Sequence, residues 1–524
     1  MEWIELIFGG LIGLATSLSL IPLILQASRR LGLANRAGEA HHTHTLPVPR
    51  LGGIALATAM LTVFFVFIFL EPDFLKLNER WLVIPSSLAM FGLGLWDDLY
   101  ALGARRKLFG QILIASVTFF CGIGIAHFRI PFSGRVIDLG LWAWPVTVFW
   151  LVAITNLINL IDGVDGLAGG ICLMLMILLV YVSVQTGFVP LITAGMAGAL
   201  LGFLRYNFPP ARIYLGDGGA YFLGFLIGCL TIVSSQKGTI FAALAAPLFV
   251  LALPIIDTSL AILRRGLRGL PLFRPDRKHI HHRLLALGHS RRQVVIGLYA
   301  FTAFFLLLGF LAFFSNGQYF ALFLGVGTLV IILTAGKFSF SREWFSIGRV
   351  LGNSLDARAD VQYAMSLARW LALEGGRTQT MEQLAEDVVF IARKLGFSRV
   401  VIRLEDEEKT WQLTGTHTEK CQLKCCTFQH PLPDHKYCRL ELCVACPADQ
   451  WPPAPEACLI SEPRLNTLGI LGELVAEGWA KAVDGWKKRH QLPVRFDARP
   501  QAPPTVAAKP PGSVLAKEET PLDP

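Results

Sequence analysis

A chain of 524 residues that is 53% hydrophobic and only 16% charged is not an ordinary soluble protein. Its net charge of +9 does not mark a nucleic-acid binder, because much of the basic charge sits in short loops between apolar runs and no basic helix with interleaved aromatics occurs.

In chain order, eleven apolar runs read as membrane-spanning helices: about 6–26, 51–70, 82–96, 109–126, 141–160, 169–186, 188–204, 219–235, 239–263, 294–314 and 319–335. The first is too long, and lacks the basic start, for a cleaved signal peptide. Eleven spans put the termini on opposite sides. Loops 27–50, 97–108, 161–168, 205–218 and 264–293 carry 18 Lys/Arg against 5 in the opposite set. The positive-inside rule makes the first set cytoplasmic, with the N-terminus outside and the C-terminus inside. Cys121, Cys172 and Cys229 fall in apolar runs and read as packing residues.

The expected organisation is an all-α polytopic membrane domain over 1–336, a helical connector over 337–375, a cytosolic α+β domain over 376–490 and a Pro-rich disordered tail from 491. In the third segment Leu384, Val388, Ile391 and Leu395 share a helical face. Arg399–Leu404 reads as a buried strand, and 437–444 alternates with Cys438, Leu440, Leu442 and Val444 on one side. A last helix covers 465–487. The element order suggests, by analogy alone, a small sensory domain of the GAF type. The tail has 8 prolines in its 34 residues. Cys421, Cys425, Cys426, Cys438, Cys443 and Cys446 could hold zinc or an iron–sulfur cluster, but their spacings match no usual ligand set and free thiols are favoured.

The chemistry lies in the acids of the basic, cytoplasmic loops. Carboxylates at the ends of apolar runs are costly and mark functional sites. In Asn156-Leu-Ile-Asn159-Leu-Ile-Asp162-Gly-Val-Asp165-Gly, Asn156, Asn159 and Asp162 recur every three residues, so one helix face is polar, and the glycines permit a tight turn against a ligand. A plain helix end with turn residues would need no intramembrane Asn. Asp217, in Tyr-Leu-Gly-Asp-Gly-Gly, could merely cap the next helix; alternatively it ligates Mg²⁺, which prefers a few protein oxygens plus phosphate and water, with Asn159 supplying an amide oxygen. Asp97-Asp98 ends another run, and neighbouring helix residues point about 100° apart. One of the two therefore faces the metal site while the other holds a lysine or a helix end. The loop Arg274-Pro-Asp-Arg277-Lys278-His279-Ile-His281-His282-Arg283 reads as a phosphate clamp rather than a zinc site, since its cations repel a dication.

Five motifs together resemble the polyprenyl-phosphate N-acetylhexosamine-1-phosphate transferase family, glycosyltransferase family 4. They are Pro47-Val-Pro-Arg-Leu-Gly-Gly53, Asp97-Asp98 with Lys107 and Gln111, the NLINLIDGVDGLAGG run, Ala211-Arg-Ile-Tyr-Leu-Gly-Asp217, and the RPDRKHIHHRLL loop. The resemblance covers about 1–335. Its HIHH loop is similar to the branch handling GlcNAc-1-phosphate rather than the muropeptide branch. Asn35-Arg-Ala37 and His42 depart from the Asp-x-Pro and Lys of the family's first loop.

The resemblance implies a multi-pass enzyme of the bacterial plasma membrane. It would move a sugar-1-phosphate from a UDP-sugar to undecaprenyl phosphate and release UMP, with Mg²⁺ (or Mn²⁺), at the first membrane step of an envelope polysaccharide such as O-antigen or teichoic acid. It assigns catalysis to Asp97, Asp98, Asp162 and Asp165, and metal to Asn159 and Asp217. Substrate binding falls to Lys107, Asn156, Arg277, Lys278, His279, His281, His282 and Arg283. The partners expected are these substrates and membrane lipid, a second copy of the chain and a regulator of the C-terminal domain. A transporter would spread its acids through membrane depth, and a membrane sensor would show no turnover.

Overall fold

The computed structural model describes residues 3–32, 48–70, 79–100, 102–129, 136–186, 190–235, 248, 251–267, 284–285, 287–315, 319–337, 358–404, 407–413, 426–431, 439–444, 462–491 and 494–496. The chain divides into two units, Met1–Leu355 and Asp356–Pro524.

The first unit is a helix bundle. Its described helices are α1 (Trp3–Leu31), α2 (Gly52–Leu70), α3 (Val83–Leu99), α4 (Ala104–Phe120), α5 (Ala143–Ile161), α6 (Leu167–Thr186), α7 (Pro190–Asn207), α8 (Gly216–Ser235), α9 (Ala252–Leu267), α10 (Arg291–Phe314) and α11 (Phe320–Lys337). Six of them, α1, α2, α5, α6, α8 and α10, are long and apolar enough to cross a membrane. With the family shown below, these make the chain a polytopic membrane protein. In α3 and α4, 17 residues each, charged ends shorten the apolar stretch.

Helix ends shift by several residues from the expected runs, and one connection gains structure. The run expected at 109–126 begins its helix at Ala104, because Arg106 and Lys107 donate their backbone N–H groups to the Gly103 carbonyl and open the first turn there. The basic trio thus belongs to α4 rather than to a loop. Between α4 and α5, residues expected as plain loop form a hairpin of β1 (His127–Arg129) and β2 (Val136–Asp138), strands too short to leave a periodic signal. Much of the ninth expected run, 239–263, lies outside the described residues.

Small residues set the spacing of the bundle, since lipid offers helices no hydrophobic drive to associate and close backbone packing must supply it. A Cβ at Gly13 would stand 1.9 Å from the Gly195 carbonyl oxygen, and one at Gly198 1.9 Å from that of Gly10, so α1 and α7 touch backbone to backbone. Helix α8 is the centre, buried along nearly all of its length against α2, α3, α5 and α6. A Cβ at Gly224 would lie 2.6 Å from Thr155 Cα. Two buried hydroxyls bond within their own helices: Thr147 and Thr155 each donate to the carbonyl four residues back at 2.7 Å. Cys172 and Cys229 are buried packing residues, whereas Cys121 is exposed at the C-terminal end of α4.

The second unit is α+β. A helix over 358–374 (α12) is followed by α13 (Met381–Lys394), β3 (Arg399–Leu404), β4 (Glu407–Gln412), β5 (Cys426–Pro431), β6 (Arg439–Val444) and α14 (Glu462–His490). The sheet is antiparallel throughout, in the order β4-β3-β6-β5. Thr380 caps α13 by accepting from the Gln383 N–H at 3.3 Å, and Leu384, Val388 and Ile391 are buried, with Leu395 half-buried at the helix end. Sequence periodicity missed β4 and β5. In β6, Leu440 and Leu442 are buried, but Cys443 is buried too, its Sγ accepting from Arg399 Nη2 at 3.5 Å; Cys421, Cys425, Cys438 and Cys446 lie outside the described residues. Helix α12 packs on α14 inside this unit: a Cβ at Gly478 would meet Ala368 Cα at 2.9 Å. Residues 494–496 also differ from the expected disordered tail. Phe496 is buried beside Trp411, with ring centroids 6.2 Å apart, and its N–H donates to Glu407 at 3.1 Å. The rest of the tail lies outside the described residues.

Candidate active site

The C-terminal ends of α3, α5 and α7 and the N-terminal ends of α2, α4, α6, α8 and α10 converge at one end of the bundle. The backbone builds the frame first. Tyr214 donates to the Pro49 carbonyl at 2.9 Å, and Gly52 and Gly53 donate to the Tyr214 and Leu215 carbonyls at 2.9 and 3.0 Å. Two of the motifs are therefore laced together by backbone hydrogen bonds. Gly216 sits at φ +76°, where a Cβ would lie 2.6 Å from the Arg50 carbonyl oxygen and 2.7 Å from Asp98 Oδ2. Glycine is required there both by conformation and by space.

Adjacent acids then take different jobs. Asp98 accepts from the Asp217 N–H at 3.0 Å and the Gly218 N–H at 2.8 Å. Its carboxylate satisfies two of the orphan donors at the start of α8 and complements the helix dipole. Asp97 points elsewhere. It is 8% exposed, accepts from the Leu102 N–H at 2.6 Å, and forms an ion pair with Lys107. Lys107 Nζ also donates to Asp217 Oδ2 at 3.1 Å. One ammonium thus joins two carboxylates brought from α3 and α8, which lie 120 residues apart in sequence.

Asp162 caps the end of α5, where its N–H donates to the Asn159 carbonyl at 3.2 Å. Among the described residues its carboxylate has no hydrogen-bond partner, yet it feels the charges of Asp217, Asp98, Arg50 and Asp165. Asp165, 6% exposed, is instead engaged in the scaffold. It accepts from the Ala211 N–H at 3.1 Å and lies 3.6 Å from Arg291 Nη1. Asn156 forms a reciprocal amide pair with Gln111, donating at 2.6 Å and accepting at 3.4 Å. Asn159 follows it on α5. The carboxylate that shares the Lys107 ammonium with Asp217 is that of Asp97. Arg277, Lys278, His279, His281, His282 and Arg283 lie outside the described residues, as do Asn35–Ala37 and His42.

Several contributors escaped the sequence reading. Buried Asn207 accepts from the Gly166 N–H at 3.0 Å and donates to the Ile213 carbonyl at 2.8 Å, tying the Asp-Gly turn to the Asp217 loop. Tyr299 donates to the Gly166 carbonyl, and Arg292 donates to the Pro209 carbonyl at 2.8 Å. Arg291 and Arg292 open an apolar run, where sequence alone reads them as topogenic charge. Arg50 was visible in its motif, but nothing there revealed its nearness to Asp98 and Asp162.

The donor set accommodates a hard divalent cation. Two carboxylates already converge on one cationic group, and Mg²⁺ takes one or two protein carboxylates with the remainder from phosphate and water. A full protein cage is a different matter: among the described residues no group of three acidic, histidine or cysteine side chains closes on one point.

A bundle of apolar helices with acids gathered around an ammonium at one end has the form of a membrane-embedded transferase of phosphorylated substrates. The family model described as Glycosyl transferase family 4 matches residues 80–235, the stretch that carries Asp97, Asp98, Lys107, Asp162, Asp165 and Asp217. The chain is 33% identical over 299 residues to the "Probable undecaprenyl-phosphate N-acetylglucosaminyl 1-phosphate transferase" of Bacillus subtilis, covering 56% of this chain and 82% of that one. It is 34% identical over 282 residues to the "Decaprenyl-phosphate N-acetylglucosaminephosphotransferase" of Mycobacterium leprae, covering 49% and 71%. A "Phospho-N-acetylmuramoyl-pentapeptide-transferase" of Desulforudis audaxviator is 29% identical over 306 residues, covering 53% and 90%. The chain belongs to glycosyltransferase family 4, the polyprenyl-phosphate sugar-1-phosphate transferases.

Proposed function

We propose that this protein transfers GlcNAc-1-phosphate from UDP-GlcNAc to undecaprenyl phosphate and releases UMP, starting an envelope polysaccharide at the bacterial plasma membrane. The observation that carries this reading is the Asp97–Lys107–Asp217 cluster, with the Asp162 carboxylate within its electrostatic reach, at the shared helix ends. Names of the Bacillus and Mycobacterium relatives favour N-acetylglucosamine as the sugar.

An oxygen of the lipid phosphate attacks the β-phosphorus, and UMP departs. Phosphoryl transfer needs positioning and charge neutralisation more than covalent help from the protein. Lys107, held between two acids, presents a positive group to the phosphates. Asp97 positions that lysine rather than acting as a base, because a phosphate monoester with its second pKa near ~6 is already largely deprotonated at neutral pH. Asp162 faces the nucleotide side, and the 277–283 loop supplies further cations to the phosphates. When bound, Mg²⁺ on Asp217 would neutralise the pyrophosphate.

Eleven spans, with the N-terminus outside and the site and second unit cytoplasmic, fit the loop charge. The second unit is read as a GAF-like regulatory domain. The direct test is UMP release by purified protein from UDP-GlcNAc, undecaprenyl phosphate and Mg²⁺, beside UDP-MurNAc-pentapeptide. Release with UDP-GlcNAc is expected. Release only with the muropeptide donor would move the protein to the other branch, and no release with any UDP-sugar would remove the enzymatic reading.

A further inference from the structure

Lys107 holds an unusual place for a substrate-binding lysine: its ammonium is already committed to two carboxylates from two helices. Asp97 is further fixed by the Leu102 N–H and is nearly buried, with a side chain 5% exposed, while the Asp217 side chain is 28% exposed and the Lys107 side chain 27%. The pairing is therefore asymmetric. Lys107 is anchored on Asp97 and shares Asp217, the more accessible partner, across 3.1 Å. A lysine ammonium is a point charge on a flexible four-carbon stem and can leave one acceptor while keeping another.

We propose that Lys107 is a built-in counter-cation that competes with the divalent ion for Asp217 and yields that carboxylate when the ion arrives. This rests on reading Asp217 as the metal carboxylate. An ammonium and a dication repel across a few ångströms, so both cannot hold Asp217 at full strength. Without a cation, Asp97 and Asp217 would face each other as like charges, which is costly in a partly desolvated site. Lys107 removes that cost in the resting protein and weakens the ion's hold at the same time. The ion is then bound firmly only when a phosphate-bearing substrate adds its own oxygens. Lys107 is in this sense a positioning residue, and its effect shows in ion affinity before any chemistry.

The test is Mn²⁺ binding to the purified full-length protein, followed by the loss of the free-ion electron paramagnetic resonance signal, with no substrate present. Lys107→Gln is expected to bind Mn²⁺ about tenfold more tightly than the parent. Lys107→Arg, which keeps the charge, should retain the parental affinity, and Asp217→Asn should lose the site. A merely structural lysine would leave affinity unchanged or lower it in Lys107→Gln. That result, with Asp217→Asn still losing Mn²⁺, overturns the competition and leaves the metal assignment standing. Retained Mn²⁺ binding in Asp217→Asn overturns both. Should Lys107→Gln not yield monodisperse protein, Lys107→Met supplies the same neutral side-chain test, and tighter Mn²⁺ binding is again the supporting result.

Discussion

Asp97 and Asp98 are adjacent in sequence, yet one holds a lysine and the other holds the first amides of α8. These placements separate three substitutions. Asp217→Asn should lower UMP release more than about a thousandfold, if Asp217 is the metal carboxylate proposed above. Asp97→Asn should lose only about ten- to a hundredfold, since it loosens Lys107 but leaves the Asp217 carboxylate in place. Equal abolition in the two variants would contradict the positioning role. Asp98→Ala leaves the amides of Asp217 and Gly218 without their acceptor and should cost about 1–2 kcal/mol of stability, seen as a lower melting temperature in detergent. An Asp98→Ala protein with parental melting and no activity would instead place Asp98 on the substrate. Sequence showed that these acids were out of place at the ends of apolar runs. It could not show that Asp98 and Asp165 serve the scaffold, because that depends on amides and a guanidinium supplied by residues 46 to 126 positions away.

At the scale of elements, the helices were legible because long apolar runs impose them. What the runs could not reveal is how closely the helix ends approach. A Cβ at Gly94 would lie 2.5 Å from the Asp217 carbonyl oxygen, whereas one at Gly92, a half-turn away, would meet nothing within 4 Å. Gly94→Ala should therefore push the start of α8 away from α3 and reduce turnover by about a hundredfold, the scale of a 1 Å misplacement, while Gly92→Ala stays near parental. The two variants are compared in the same UMP-release assay, and a harmless Gly94→Ala would mean that α8 tolerates the shift. Helix α4 carries the same lesson. Apolarity places its start five residues late, because three basic residues hide a first turn whose lysine is spent on two acids in other helices.

At the scale of the molecule, the two units differ in kind. The family match falls within the first, and the relatives cover about half of the chain. A protein ending at Leu355 should keep the basal UMP-release rate to within about threefold, as expected for domains with separate cores. Loss of all activity in a truncated protein that is still monodisperse would make the second unit part of the transferase. In that unit the helix-strand alternation was partly readable, but β4 was not. Its pattern alternates half-buried with exposed positions and carries Glu407, Glu408 and Lys409, so its strand nature comes from pairing with β3 rather than from hydrophobicity.

By itself the sequence determined that this chain belongs in a membrane, which ends of its apolar runs carry acids, and which family its motifs resemble. Those properties follow from local composition, because lipid demands apolar helices and makes each misplaced charge conspicuous. Only the tertiary structure decided which acid meets which partner. Asp97 and Asp217 come to share Lys107 because α3, α4 and α8 end at the same level, and glycines let their backbones approach within a side chain's width. That is a property of packing, and no periodicity in the chain records it.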